Sequence, residues 1–438
     1  MTNKLPQGWV ECEFGKIFEV VNGDRGKNYP AKNKLQTAGI PFVSAVNIQD
    51  GKLREDNLLC LTDEQYNLLN NGKINTEDTL LCIRGSIGKH CRYFKEKGAI
   101  ASSMVIIRRN QFEVLNSLLH YYLDSHIMKA EIKKYDNGTA QPNLSAADLR
   151  KFYFPLPPLN EQKRIVEKIE EEFGKIDEGI EKLKLAQEQI KQYRQSVLKS
   201  AFDGKLYKTT EWEEKKLEEI LANDQYSMKR GPFGSSLKKA YFVPKGIRVF
   251  EQYNPINNDP YWSRYYISDS KYEELKAFTA QAGDLLISCS GTLGKIIELP
   301  KDVEKGIINQ ALLKITLNPE KIINQFFIYL FRSPIMQKKI FDNTIGTAIQ
   351  NIASVKELKK IKILLPTPDE QKQIVREIEK RFEVADEVER VITENLAKAE
   401  QLKQSILKKA FEGRLVPQDP TDQPASELLA QIQKERKK

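Results

Sequence analysis

Two glycine-hinged loops end in lysine, GSIGK at 85–89 and GTLGK at 291–295. A loop that hydrolyses nucleotides needs four residues between its first glycine and the Gly-Lys pair, then Ser or Thr. Here two residues intervene, and His90 or Ile296 follows the lysine, so nucleotide hydrolysis is excluded. A glycine hinge carrying Arg84 and Lys89, or Lys295, suits contact with phosphate. A tight turn with a solvated lysine accounts for the same residues. Zinc binding fails on ligand count: the histidines are His90, His120 and His126, and with Cys82 and Cys91 they have no zinc-ligand spacing. PDEQK at 368–372 places its acids too close together for a nuclease site, and its sister segment reads LNEQK. DPYW at 259–262 lacks the second proline of an amino-methyltransferase tetrapeptide, and no glycine-rich cofactor loop accompanies it. No catalytic, metal or cofactor site is expected in this chain.

Polar, glycine-punctuated loops fit recognition better. NGDRGKNYP (22–30) carries Arg25, Lys27, Asn28 and Tyr29. SMKRGPFGSSLKKAYF (227–242) carries Lys229, Arg230, Phe233, Ser235, Lys238 and Lys239, and FEQYNPINN (250–258) carries Gln252 and Asn254. Arg, Asn and Gln can grip base edges through two hydrogen bonds at once, and Lys contacts phosphate. A merely solvated loop has the same composition.

What must position these loops is a repeat. Residues 156–206 and 365–415 match without insertion at an offset of 209, with 21 identities in 51, and such a repeat sets the architecture. Each copy shows a seven-residue apolar period. In the first it runs through Ile169, Ile176, Leu183, Ile190 and Val197 beside Phe173. In the second it runs through Ile378, Ala385, Ile392, Ala399 and Ile406 beside Phe382 and Leu396. This is the pattern of a coiled-coil seam, interrupted at Gln187, Arg194, Glu389 and Lys403. Asn160 and Asp369 occupy expected N-cap positions, and Gly204 and Gly413 stand where a helix ends in a left-handed residue.

The segments between the helices are distantly alike. IRGSIGK (83–89) aligns with CSGTLGK (289–295), YLDSHIM (122–128) with YLFRSPIM (329–336), and NGTAQPNL (137–144) with IGTAIQNI (345–352); Trp9 and Trp212 open the two segments. Runs 117–135 and 324–341 read as helices, and 79–85 and 101–109 as strands. The expected fold class is α+β. Two similar α/β domains, 1–155 and 207–364, are separated by two long helices in spacers 156–206 and 365–420. Packed isologously, the helices form an antiparallel coiled coil with pseudo-two-fold symmetry, and 421–438 is a C-terminal tail. Among 438 residues the net charge is +9 and the pI about 9.0, which suggests an anionic partner. Five cysteines without a C-x-x-C pair, no apolar signal segment and no run of eighteen apolar residues lead to the expectation of a cytoplasmic chain with no membrane partner.

With these residues in view, the chain resembles the specificity subunit of Type I restriction–modification systems over its whole length. PLPPLNEQKRIVEKIE and LLPTPDEQKQIVREIE resemble the starts of that family's conserved regions. SAFDGKL and KAFEGRLVPQDPTDQPASELLAQIQKERKK resemble their ends. LPQGWVECEFGKIF resembles the opening of a first target-recognition domain, and GPFGSSLK followed by QYNPI a loop of second domains. The resemblance implies that each recognition domain reads one half of a split site in double-stranded DNA. It implies that the helices space the halves and dock two modification subunits, which bring S-adenosylmethionine and adenine methylation. A restriction subunit would join for ATP- and Mg-dependent translocation and cleavage, leaving this chain non-catalytic. The rival is a two-ended coiled-coil scaffold for protein partners, which leaves divergent basic loops on a shared fold unexplained. Half-sites on one face of DNA would lie about 34 Å apart. A methylation map of the host should therefore show an interrupted motif, and a continuous one would contradict the two-domain reading.

Overall fold

The computed structural model describes residues 5–136, 143–207, 211–341 and 352–436. They divide into two compact units, residues 1–183 with 394–438 and residues 184–393. Most of the NGTAQPNL and IGTAIQNI pair lies outside the described residues.

In the first unit an antiparallel sheet runs Val20–Asn22, Met104–Ile107, Thr79–Cys82, His90–Arg92, with Val105 opposite both Leu81 and Asn22. Its strands TLLC and MVII are buried at every position, which accounts for their unbroken apolar runs. A second sheet runs Cys60–Leu61, Ile40–Val43, Gly98–Ile100, Lys73–Ile74, and its central pair is parallel. The second unit repeats both orders. One sheet runs Met228–Arg230, Leu312–Ile315, Leu285–Ser288, Ile296–Glu298. The other runs Tyr266–Ile267, Ile247–Phe250, Gly306–Ile308, Thr279–Ala280, with an extra edge strand Phe242–Val243. Its central pair is parallel as well.

The two segments expected as single helices are each two. Glu113–Asp124 is followed by His126–Tyr135, and Asn324–Arg332 by Pro334–Phe341. The break falls on Ser125 or Ser333. Each hydroxyl donates back to a carbonyl, Tyr122 at 2.7 Å or Leu330 at 2.6 Å, and accepts the N–H of Met128 or Met336 at 3.3 Å. A serine that caps a new helix competes with continuation of the old one.

The long helices are Leu159–Phe202 and Pro368–Phe411, 44 residues each, about 66 Å at 1.5 Å per residue. They start two residues earlier than the cap reading placed them. The Pro158 and Thr367 carbonyls accept the first helical bonds, from Gln162 and Gln371, and the Thr367 hydroxyl accepts from Glu370 N at 3.4 Å. Asn160 and Asp369 therefore lie inside the first turn. The next two residues, Glu161 with Gln162 and Glu370 with Gln371, are buried. Gln162 Nε2 donates to Pro157 O at 2.8 Å, and Gln371 Nε2 to Pro366 O at 3.0 Å. Trp9 Nε1 donates to Glu161 Oε2 at 2.9 Å. The repeated EQ pair thus ties strand to helix. Both helices end in the same motif. Gly204 and Gly413 adopt φ of 72° and 65°. Their N–H groups reach back three residues, and those of Lys205 and Arg414 reach back five, as in a Schellman cap.

Inside the first unit the start of the first long helix runs antiparallel to the end of the second. Ile169, Ile406, Leu407 and Ala410 share one core, with Phe173 and Ile176 packed on it. Lys403 lies 5.2 Å from the Phe173 ring centre and pairs with Asp177. Inside the second unit Val197, Leu198, Ile374 and Ile378 are packed together, with Phe382 against them. There Arg194 lies 5.1 Å from the Phe382 ring and pairs with Asp386, and with Glu389 at 3.2 Å. Leu183, Ile190 and Leu396 are half-buried and Ile392 is buried.

The C-terminal stretch is a docked helix, Ala425–Glu435. Ala425, Leu428 and Ile432 enter the first unit's core, Ala425 N donates to Gly8 O at 2.8 Å, and Arg164 pairs with Asp422 at 2.7 Å. The position equivalent to Arg164 in the second helix is Gln373. Replacing fully buried Ile169 or Ile378 with alanine should lower stability by about 2–5 kcal/mol, read as a shifted midpoint in urea unfolding.

Candidate nucleic-acid interface

Strand pairing brings three loops of the first unit to one end of its antiparallel sheet. Asn22, Cys82 and Met104 lie side by side there, so the segments after Asn22, after Cys82 and before Met104 must converge. Gly23 is required by that approach, since a Cβ would stand 2.7 Å from Ala101 O. Arg25 donates to Ser102 O at 3.2 Å, and Arg84 Nε to Asn143 Oδ1 at 3.0 Å. Partial burial and the neighbouring Arg84 charge both pull the Arg25 guanidinium below its ordinary pKa. Two like charges held near one another in this way suit an anion. Lys27 and Lys89 are exposed. Asn28 and Tyr29 brace the loop. Asn28 Nδ2 donates to Leu68 O at 2.9 Å, and the Tyr29 hydroxyl accepts from Ser102 N at 3.4 Å while its ring packs edge-on to Phe42.

The second unit builds the same end from different residues. Arg230 closes its strand opposite Leu313. A Cβ on Gly231 would stand 1.9 Å from Asn309 O, and Cys289 N donates to Ala311 O at 2.8 Å. Phe233 is 88% exposed, and Ser235, Lys238, Lys239 and Lys295 are exposed. Lys229 lies 5.3 Å from the Tyr226 ring centre and 5.2 Å from that of Phe278. Gln252 is half-buried, and its Oε1 has no partner among the described residues.

Asn254 is a correction. It is fully buried, its Oδ1 accepts from Glu251 N at 2.9 Å, and its Nδ2 donates to Asp259 O at 2.9 Å and Trp262 O at 2.8 Å. An amide committed to its own loop has nothing to offer a base.

The two Gly-Lys loops are hairpin turns. Ser288 and Lys295 share a backbone bond at 2.9 Å, as Cys82 and Lys89 do at 2.8 Å. Gly85, Gly88, Gly291 and Gly294 all take positive φ, which is why glycine recurs there. Ser102, Asn143 and Gln310 join these loop clusters without having been singled out in the sequence. Strand register brings them in, and composition carries no trace of it.

The profile of the Type I restriction modification DNA specificity domain matches residues 6–189 and again 209–397. The chain belongs to that family. It is 26% identical to the Type I restriction enzyme EcoKI specificity subunit of Escherichia coli K12, covering 99% of this chain and 96% of that one. It is 29% identical to the EcoBI specificity subunit of E. coli, covering 99% and 93%. A chain solved in a study of assembly and conformational transition of the type I R-M system shares the fold, with TM-score 0.66 at 20% identity over 94% of this chain and 100% of that one. Among the described residues no helix is long and apolar enough to cross a membrane.

Replacing Asn254 with alanine leaves the Glu251 N–H and the Asp259 carbonyl without their partner, while Trp262 O keeps its bond from Arg248 at 2.8 Å. Stability should fall by about 1–3 kcal/mol, visible as a lower Tm.

Proposed function

We propose that this chain is the DNA-reading subunit of a Type I restriction–modification complex, with one half of an interrupted target read by each unit. One observation carries the reading. The same sheet end is built twice on one scaffold, with Arg25 and Arg84 in the first unit and Arg230, Lys238 and Lys239 in the second. A protein that catalysed one reaction twice would keep its site residues; a reader of two unlike half-sites must change them. The basic balance of the chain supports the same reading.

In this reading the chain supplies no reacting group. The long helices dock two modification subunits, which hold S-adenosylmethionine and methylate adenine. Restriction subunits join them and bring the ATP and Mg chemistry, and the complex works in the cytoplasm, where its DNA is. Lys238, Lys239 and Lys295 hold phosphates, and the arginines stand at the base edges.

Exchanging only residues 1–155 for those of another specificity subunit should alter one half of the methylated motif. If both halves change, the assignment of one unit to one half is wrong. Binding should weaken steeply with salt. Lys238→Ala with Lys239→Ala should weaken all duplexes about equally and make the salt slope shallower by about two, measured by titration with specific and random duplexes. A scaffold that binds only proteins would show neither effect.

A further inference from the structure

We infer that Gln310 determines one base of the half-site read by the second unit, as an amide that pairs with an adenine edge. The inference rests on the DNA-reading function proposed above and adds a residue to it.

Gln310 sits at the tip between strands Gly306–Ile308 and Leu312–Ile315, and its side chain is exposed. The backbone beneath it is fixed. Asn309 N donates to Phe250 O at 3.0 Å, Leu312 N to Asn309 O at 3.1 Å, and Ala311 N to Asn309 Oδ1 at 3.0 Å. Two neighbouring loops are pinned to the same tip, Gly231 N by Leu312 O at 2.9 Å and Cys289 N by Ala311 O at 2.8 Å. Such a tip moves little, so binding there has to order the side chain but little of the backbone.

The side chain lies across the GPFGSS loop. A Cβ on Gly234 would come within 2.6 Å of Gln310 Oε1, so the amide lies close over that glycine. Gln310 makes no side-chain hydrogen bond among the described residues. Arg230, on the strand beside it, makes none either. A solvated amide on a rigid tip, between a guanidinium and a lysine-bearing loop, can offer both its donor and its acceptor. Glutamine can grip adenine N6 and N7 through both together, whereas glutamate accepts from cytosine N4. The equivalent position in the first unit is Ser102. There the backbone O and N serve Arg25 and Tyr29, and the side chain is too short for such a grip. The two units would thus read with different residues at one shared place.

The test uses the full chain, co-expressed with its modification subunits in a host free of other adenine methylation, and maps methylated sites across the genome. Q310A should relax one position, and only in the half that is unaffected by exchanging residues 1–155. Discrimination there should fall roughly ten- to a hundred-fold. Q310E should shift that position toward cytosine. If Q310A leaves too few methylated sites to map, selection from a randomised duplex library by the purified complex reads the same position. A motif unchanged in Q310A by either readout overturns the inference, as does a change confined to the other half. Neither outcome touches the parent reading, which fails separately if the exchange of residues 1–155 leaves the motif intact.

Discussion

Lys403 over Phe173 and Arg194 over Phe382 are one interaction made twice, and the rest of each unit is organised around it. Phe173 and Phe382, Arg194 and Lys403, and Asp177 and Asp386 are all 209 positions apart. In each unit a cation from one long helix stands over a ring of the other and pairs with an aspartate one turn further on. The ring's other neighbour is a tyrosine from the recognition domain, Tyr121 or Tyr329, edge-on at 5.8 or 5.7 Å. Domain, first helix and second helix therefore meet at a single stack. A cation over an aromatic face contributes about 0.5–2 kcal/mol, less than the surrounding aliphatic burial. Its value is directional. Sliding either helix by one turn would leave a lysine or arginine against isoleucine and strand an aspartate, so the clamp selects one register where the apolar seam alone would tolerate several.

That constraint separates what can vary from what cannot. The sheets, the serine-broken helix pairs and the EQ junctions recur in both units because each is fixed by a buried partner. The loops at the sheet end are tied down by backbone bonds and by glycines that admit close approach, so their other side chains are free to differ. The difference also reaches the strand that opens each domain. Val10 and Cys12 join the core that Ala425, Leu428 and Ile432 enter in the first unit, whereas Glu213 and Lys215 occupy those positions in the second. Arg164, which anchors the C-terminal helix, likewise becomes Gln373.

The long helices were legible because a seven-residue apolar period sustained along a whole spacer is the mark of a helix seam. The glycine ends were legible because a left-handed residue is nearly obligatory there. The helix starts lie two residues before the expected ones, since Asn160 and Asp369 look like caps although the backbone turns at Pro158 and Thr367. Ser125 and Ser333 hid the helix breaks, because serine is tolerated inside a helix and only its bond back to the preceding turn shows that the chain has restarted. Asn254 looked like a reader on composition and proved to be a brace. Gln310 and Ser102 were invisible for the opposite reason: their places depend on which strands pair, and no local pattern encodes that.

The docked C-terminal helix also reverses the order in which the domains are completed during synthesis. Residues 184–393 are contiguous, so the second unit has all its parts as soon as they leave the ribosome. The first unit does not. Its core lacks Ile406, Leu407, Ala410 and Phe411 until the second long helix is made, and Ala425, Leu428 and Ile432 until the helix after it is made. Domains usually fold in the order they emerge. Here the unit that emerges first closes after the second, because its core waits for residues 406–432.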